Sequence, residues 1–191
     1  MIEVWRRLVS MDEWILLSVR RRESRGMTRL MRTLTHLGDP GSWIVLGLAL
    51  GFSGGDGPRL SALLGTAAFL SLAISQPLKR LCRRERPSHG IGGFAALAEN
   101  PDVFSFPSGH TSVAFSIAAA FAGQAAGPLG TLLLALAFGI AVSRVYLGAH
   151  YPLDVAAGAL VGTVSGIAAK LILLVLPVLK LAGYATLAAL S

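Results

Sequence analysis

Five apolar segments follow one another in this sequence, at about Ser42 to Ser53, Leu60 to Leu78, Thr111 to Ala126, Leu129 to Tyr146, and Val155 to Ala169 or beyond. Glycine and proline clusters interrupt the run at Gly54-Gly55-Asp56-Gly57-Pro58 and at Gly127-Pro128, which is the composition of short turns between helices. With 53% hydrophobic and only 14% charged residues, the chain is too apolar for an ordinary soluble domain, whose charged fraction is about a quarter. The bilayer is the solvent that fits. The expected fold is all-α, a single integral-membrane helical bundle of about five to six spanning helices, each needing about 20 residues. The first segment is short and must borrow from Leu37 to Gly41 to span. The tail from Leu171 to Leu190, interrupted by Pro177 and Lys180, reads as an extension of the last span with an interfacial end. No internal repeat or low-complexity tract is apparent.

The segment from Met1 to Thr35 differs from the rest. Apolar residues at helical spacing (Val4, Trp5, Leu8, Met11, Ile15, then Met27, Leu30, Met31, Leu34) alternate with arginines at 6, 7, 20, 21, 22, 25, 29 and 32. That is the pattern of interfacial amphipathic helices, the blander alternative being a solvated basic terminus. No cleavable signal peptide is evident, because Arg6, Arg7, Asp12 and Glu13 break the apolar run. The chain thus divides into an interfacial part (1–35), a bundle of spans (36–169) and a tail or helix extension (170–191). Trp5, Trp14 and Trp43 read as interfacial anchors, and His36 and His89 as surface histidines. Cys82 is the only cysteine, so no intrachain disulfide forms, and no metal-ligand spacing surrounds it. The net charge of +7 could suggest nucleic acid, but aromatic residues are few and no polar body exists to carry a basic face. Anionic membrane lipid is the simpler partner.

One long polar stretch separates two spans, from Lys79 to Pro107. If successive spans alternate in direction, the end of the second at Lys79, the start of the third near His110, the end of the fourth near Arg144 and the start of the fifth near Asp154 fall on one membrane face. Three polar clusters distant in sequence then converge at the end of a bundle. In the first, Lys79 and Arg86-Pro87 place two cations at a helix end, although Lys79 alone would read as a headgroup anchor. In the second, Pro107-Ser108-Gly109-His110 precedes an apolar run. Ser108 lies near the cap of a helix whose free N–H groups and dipole favour an anion, and Gly109 allows close approach to the main chain. His110 alone could equally be a satisfied interfacial histidine. In the third, Ser143-Arg144 is followed by His150 and Asp154, with Pro152 suited to a first helical position. A carboxylate at Asp154 can fix the tautomer of His150 and leave its other nitrogen free to attack; the alternative is a mere cap or salt-bridge acid. Cations, N–H groups and an in-line nucleophile are what phosphoryl transfer needs.

Lys-x6-Arg-Pro, Pro-Ser-Gly-His and Ser-Arg-x5-His-x3-Asp, in this order and spacing, resemble the three signature motifs of the type 2 phosphatidic acid phosphatase family. The similarity runs from about Thr35 to Gly166 and includes Leu37-Gly38-Asp39 and Val145-Tyr146-Leu147-Gly148. The resemblance implies a lipid phosphate or diphosphate phosphatase in which His150 forms a phosphohistidine, Asp154 orients it, and His110 protonates the leaving group and later activates water. Lys79, Arg86, Ser108, Gly109 and Arg144 would hold the phosphate, with no metal and no cofactor. Polyprenyl diphosphate, phosphatidylglycerol phosphate and phosphatidate are candidate substrates. The arginine-rich start departs from the six-span pattern common in bacterial members.

Two further readings stand beside this one: a phosphotransferase of the same fold, and a non-enzymatic lipid-binding or transport protein whose cations merely hold headgroups. Binding alone does not require a nucleophile with an oriented tautomer, which argues against the last. Sidedness is contested. The lysine and arginine count would put the motif face in the cytoplasm, whereas the resemblance implies the outer face of a bacterial inner membrane, and that face is the expectation.

Overall fold

The computed structural model describes residues 2–98, 102–123 and 128–190. Among these the regular elements are helices: α1 (Ile2–Arg20), α2 (Arg25–Leu37), α3 (Pro40–Gly51), α4 (Gly57–Cys82), the single turn α5 (Pro87–Gly90), α6 (Gly109–Phe121), α7 (Leu129–Tyr146) and α8 (Pro152–Leu190). The expected all-α bundle is what forms. Three helices, Gly57–Cys82, Leu129–Tyr146 and Pro152–Val175, are long and apolar enough to cross a bilayer, and α3 and α6 are shorter apolar helices. At 13 residues α6 is about 20 Å long, short of a hydrocarbon core of about 30 Å. Its expected end at Ala126 lies outside the described residues; the helix stops at Phe121, and Gly123 turns the chain at φ +71°. The tail continues α8 as one helix to Leu190. The side chains of Val4, Trp5, Leu8, Pro177 and Lys180 are outside the description.

The core is built around α6, whose residues from Thr111 to Ala118 are all buried. A short helix that is apolar or small all round belongs in the middle of a bundle, and α4, α7 and α8 pack around it. Its tightest neighbour is α8. Gly158, Gly162 and Gly166 recur one turn apart on α8, and a Cβ on each would lie 2.7 Å, 2.2 Å and 2.1 Å from the carbonyl oxygens of Ser108, Ser112 and Ser116. Small residues at four-residue spacing let two membrane helices approach to backbone contact, where van der Waals packing replaces the hydrophobic drive that lipid cannot supply. Outside this core Val45, Leu48, Phe69, Phe138, Val142, Leu160 and Val164 are exposed. Such a belt would be costly in water and suits lipid.

The N-terminal helices dock at the motif end of the bundle. The Tyr146 hydroxyl accepts the Ser24 N–H at 3.1 Å, and Met31 packs with Tyr146 and Leu147. Arg20 and Arg32 donate to the carbonyls of Ala95 and Leu97, so the segment after α5 is strapped to α1 and α2. Trp14 is exposed, as an anchor should be, but Trp43 is not an interfacial anchor. It is buried in the core because its indole N–H finds a partner in the Gly38 carbonyl at 3.1 Å.

Gly162→Leu is expected to force α6 and α8 apart, and overpacking of this kind costs about 1–3 kcal/mol or more. A lowered thermal unfolding midpoint in detergent, with loss of function, is the predicted outcome; an unchanged midpoint would remove the seam from its structural role.

Candidate active site

The end of α4, the start of α6, the end of α7 and the loop into α8 meet at one place. A cavity of about 1040 Å³ is lined there by Lys79, Arg86, Gly109, His110, Arg144 and His150. Six of the eight residues singled out in the sequence thus share one wall. Ser108 and Asp154 are fully buried behind it. Ser108 is the N-cap of α6, but its hydroxyl makes no capping bond; it accepts from the Thr111 hydroxyl at 3.0 Å, while its N–H donates to the Asp154 carbonyl at 3.0 Å.

Local backbone structure aims the two histidines. The Arg144 carbonyl accepts the N–H groups of Ala149 and His150, at 3.0 Å and 3.2 Å, closing the turn after α7. Gly148 makes that turn possible: its φ is +70°, and a Cβ there would sit 2.6 Å from the Phe94 ring. His150 then points Nε2 toward the cavity, 3.4 Å from Arg86 Nη1, and Nδ1 toward Asp154 Oδ2 at 3.7 Å. That last distance exceeds a hydrogen bond, because Asp154 is already engaged: Oδ1 accepts from Arg84 at 2.7 Å and Oδ2 from the Tyr151 N–H at 2.9 Å. His110, in the first turn of α6, places Nε2 2.8 Å from Asp39 Oδ1.

Two acids complete the site that the sequence reading did not assign. Asp102 pairs with Lys79 Nζ, and its carbonyl accepts from Arg86 Nε at 2.6 Å. Burial would raise its pKa, but the Lys79 hydrogen bond and the Lys79 and Arg86 charges outweigh it and hold the carboxyl below its usual range. Asp39 behaves alike: burial opposes ionisation, and hydrogen bonds from His110 and His36 prevail. Asp39 is the N-cap of α3 before Pro40, and the Leu37-Gly38-Asp39 stretch was its one signal. His36 is exposed as expected, yet its Nδ1 lies 3.0 Å from Asp39 Oδ2. Arg144 donates to the Thr35 hydroxyl at 2.6 Å, which ties α2 to the site.

Burial, and then the charges of Arg144, Arg86 and Lys79, hold the His150 imidazole well below its ordinary value of 6.5. Its neutral form therefore faces three cations across a polar pocket, an arrangement suited to a tetrahedral anion with a nucleophile alongside. Among the described residues no group of three His, Cys, Asp or Glu side chains is placed to hold a metal ion.

Residues 60–176 match the PAP2 superfamily. Decaprenylphosphoryl-5-phosphoribose phosphatase of Mycobacterium tuberculosis is 36% identical over 143 residues, 74% of this chain and 77% of that protein. The crystal structure of Aquifex aeolicus LpxE superposes with a TM-score of 0.72 at 27% identity, covering 81% of this chain and 92% of that one. The transmembrane PAP2 type phosphatidylglycerolphosphate phosphatase from Bacillus subtilis gives 0.67 at 26% identity, covering 85% and 84%.

Because the unfolded chain takes up a proton near pH 6.5 that buried His150 refuses, the stability His150 contributes is complete above that pH and is lost progressively as pH falls below it. Unfolding midpoints at descending pH should therefore fall further for the wild type than for His150→Gln. Parallel curves would show that His150 is not held neutral.

Proposed function

We propose that this chain, which belongs to the PAP2 superfamily, hydrolyses a phosphate or diphosphate ester of a membrane lipid through a phosphohistidine formed on His150. The observation that carries the reading is the shape of the cavity. Its polar end holds Lys79, Arg86, Arg144, His110 and His150, and its other limb runs between α3 and α4, lined by Ile44, Gly47, Leu48, Leu64, Gly65, Ala68 and Leu72. Ile44, Leu48 and Leu72 are exposed on the lipid-facing side of these helices. An anionic head fits the first part and an acyl or prenyl tail the second. The relatives named above as phosphatases of a decaprenylphosphoryl sugar phosphate and of phosphatidylglycerolphosphate support a substrate of this kind.

In the proposed reaction the lone pair of His150 Nε2 attacks phosphorus, a P–N bond forms and the bond from phosphorus to the lipid oxygen breaks. His110 gives its proton to that oxygen. Water then attacks the phosphohistidine, His110 takes the water's proton, and the P–N bond breaks to release phosphate. Lys79, Arg86, Arg144 and the N–H groups at the start of α6 hold the phosphoryl oxygens, and neutralising their growing charge is the larger part of catalysis. For Lys79 and Arg86 this means exchanging Asp102 for phosphate. Protein cations supply that charge, and the reaction needs no metal.

Phosphate release from a panel of detergent-solubilised polyprenyl phosphates and diphosphates, phosphatidylglycerol phosphate and phosphatidate tests the activity. The wild type should release phosphate from at least one of them and His150→Ala from none. Gly65 has open space around it, so Gly65→Phe should fold, raise KM for the long-chain substrate and spare a short-chain phosphate monoester. Full turnover by His150→Ala would sink the mechanism, and equal effects on long and short chains would sink the tail groove.

The site face is proposed to be extracytoplasmic, in a bacterial inner membrane. The opposing arginine count is discounted by Arg20, Arg32, Arg84, Arg86 and Arg144, which are tied to carbonyls, a hydroxyl or carboxylates. In a Cys82→Ser background, Ser88→Cys should react with a membrane-impermeant thiol reagent in intact cells; protection until lysis would reverse the assignment.

A further inference from the structure

One buried charge cluster borders the site without lining its cavity. Arg84, just after the left-handed Arg83 that ends α4, reaches two buried acids. Its Nη1 donates to Asp154 Oδ1 at 2.7 Å, and its Nη2 donates to Asp12 Oδ2. Asp12, carried by α1, uses its other oxygen to accept the Leu153 N–H at 2.8 Å, one of the donors that the first turn of α8 leaves open. The guanidinium lies 4.1 Å over the Tyr151 ring. The links converge on Tyr151, Leu153 and Asp154, within the four residues that follow His150.

We propose that Arg84 and Asp12 are positioning residues for the phosphatase reaction: Asp12, on the interfacial helix, holds Arg84, and Arg84 pins one oxygen of Asp154 so that the other faces His150. This rests on the reading of His150 as nucleophile. A carboxylate on a single-bonded stem can turn, and Arg84 together with the Tyr151 N–H removes that freedom. As Nε2 attacks, the imidazole becomes cationic, and Asp154 Oδ2 needs to close only from 3.7 Å to accept the Nδ1 proton in a hydrogen bond. Without Arg84 the carboxylate is a buried charge with no cation, which is strongly unfavourable. It must then take a proton or rotate away, and either loses the tautomer control. Asp12 lies outside residues 60–176 that match the family, so this support is built by the N-terminal helix that replaces a first span.

The test uses the full chain in detergent and the lipid phosphate that the panel identifies, measuring kcat, KM, inhibition by inorganic phosphate and the unfolding midpoint. Arg84→Gln should lower kcat by on the order of 10- to 100-fold, the usual cost of deleting a partner that orients a functional side chain, with KM and phosphate inhibition unchanged. Arg84→Lys, which keeps a cation beside Asp154, should recover part of the loss. Asp12→Asn should lower kcat less, and the Asp12→Asn, Arg84→Gln double variant should be no slower than Arg84→Gln alone, because the two act through one link. Weakened phosphate inhibition with kcat intact would make Arg84 a phosphate ligand and overturn the proposal. So would a lowered midpoint with normal kcat, which would leave the cluster purely structural. A wild type that turns over no lipid phosphate would instead overturn the functional reading itself.

Discussion

The backbone contact between α6 and α8 is the constraint on which the site depends. Gly158, Gly162 and Gly166 admit the carbonyls of Ser108, Ser112 and Ser116 to distances that no Cβ would permit. The topmost step of that seam joins Ser108 to Asp154, whose N–H and carbonyl meet at 3.0 Å. The start of α6 and the start of α8 are thereby locked in register, and with them His110 and His150, the two residues to which the proposed reaction gives the proton transfer and the attack. Lipid gives helices no hydrophobic reason to associate, so precision at this end of the bundle comes from packing and from main-chain contact.

Electrostatics explains why the site lies at the bundle's end. Lys79, Arg86 and Arg144 are all buried, and such charges are tolerable near a membrane only when paired or hydrogen-bonded. Asp102, the Ala149 carbonyl and the Thr35 hydroxyl meet that need. Asp39 does the same for His110. The same cations, crowded around a neutral His150, create a pocket whose charge suits an anion with several oxygens. The apolar limb between α3 and α4 suits a lipid tail attached to that anion.

Much of this could be read before any coordinates. The bounds of α7 and the start of α8 at Pro152 follow from the apolar run and the proline, and the alternation of spans brings the three clusters together. The helical character of the N-terminus could be read from its apolar and arginine spacing, but not what lies near it: Asp12 meets Arg84 across 72 residues, and Asp39 meets His110 across 71. An acid in an amphipathic helix carries no sign of such a partner. Trp43 misled because tryptophan is common at interfaces, whereas here the Gly38 carbonyl, five residues earlier, accepts its indole N–H and lets the ring be buried. The glycines of α8 are visible at their four-residue spacing, yet they acquire meaning only beside the serines of α6.

The account stands or falls on a covalent bond between phosphorus and His150. Mixing the enzyme with a lipid substrate labelled in its phosphate, quenching in base within the first turnover and mapping the label by peptide is the most direct test. The predicted result is an acid-labile, base-stable phosphoryl group on the peptide carrying His150, absent in His150→Ala. Label on another residue, or turnover with no labelled peptide at any time point, would contradict it.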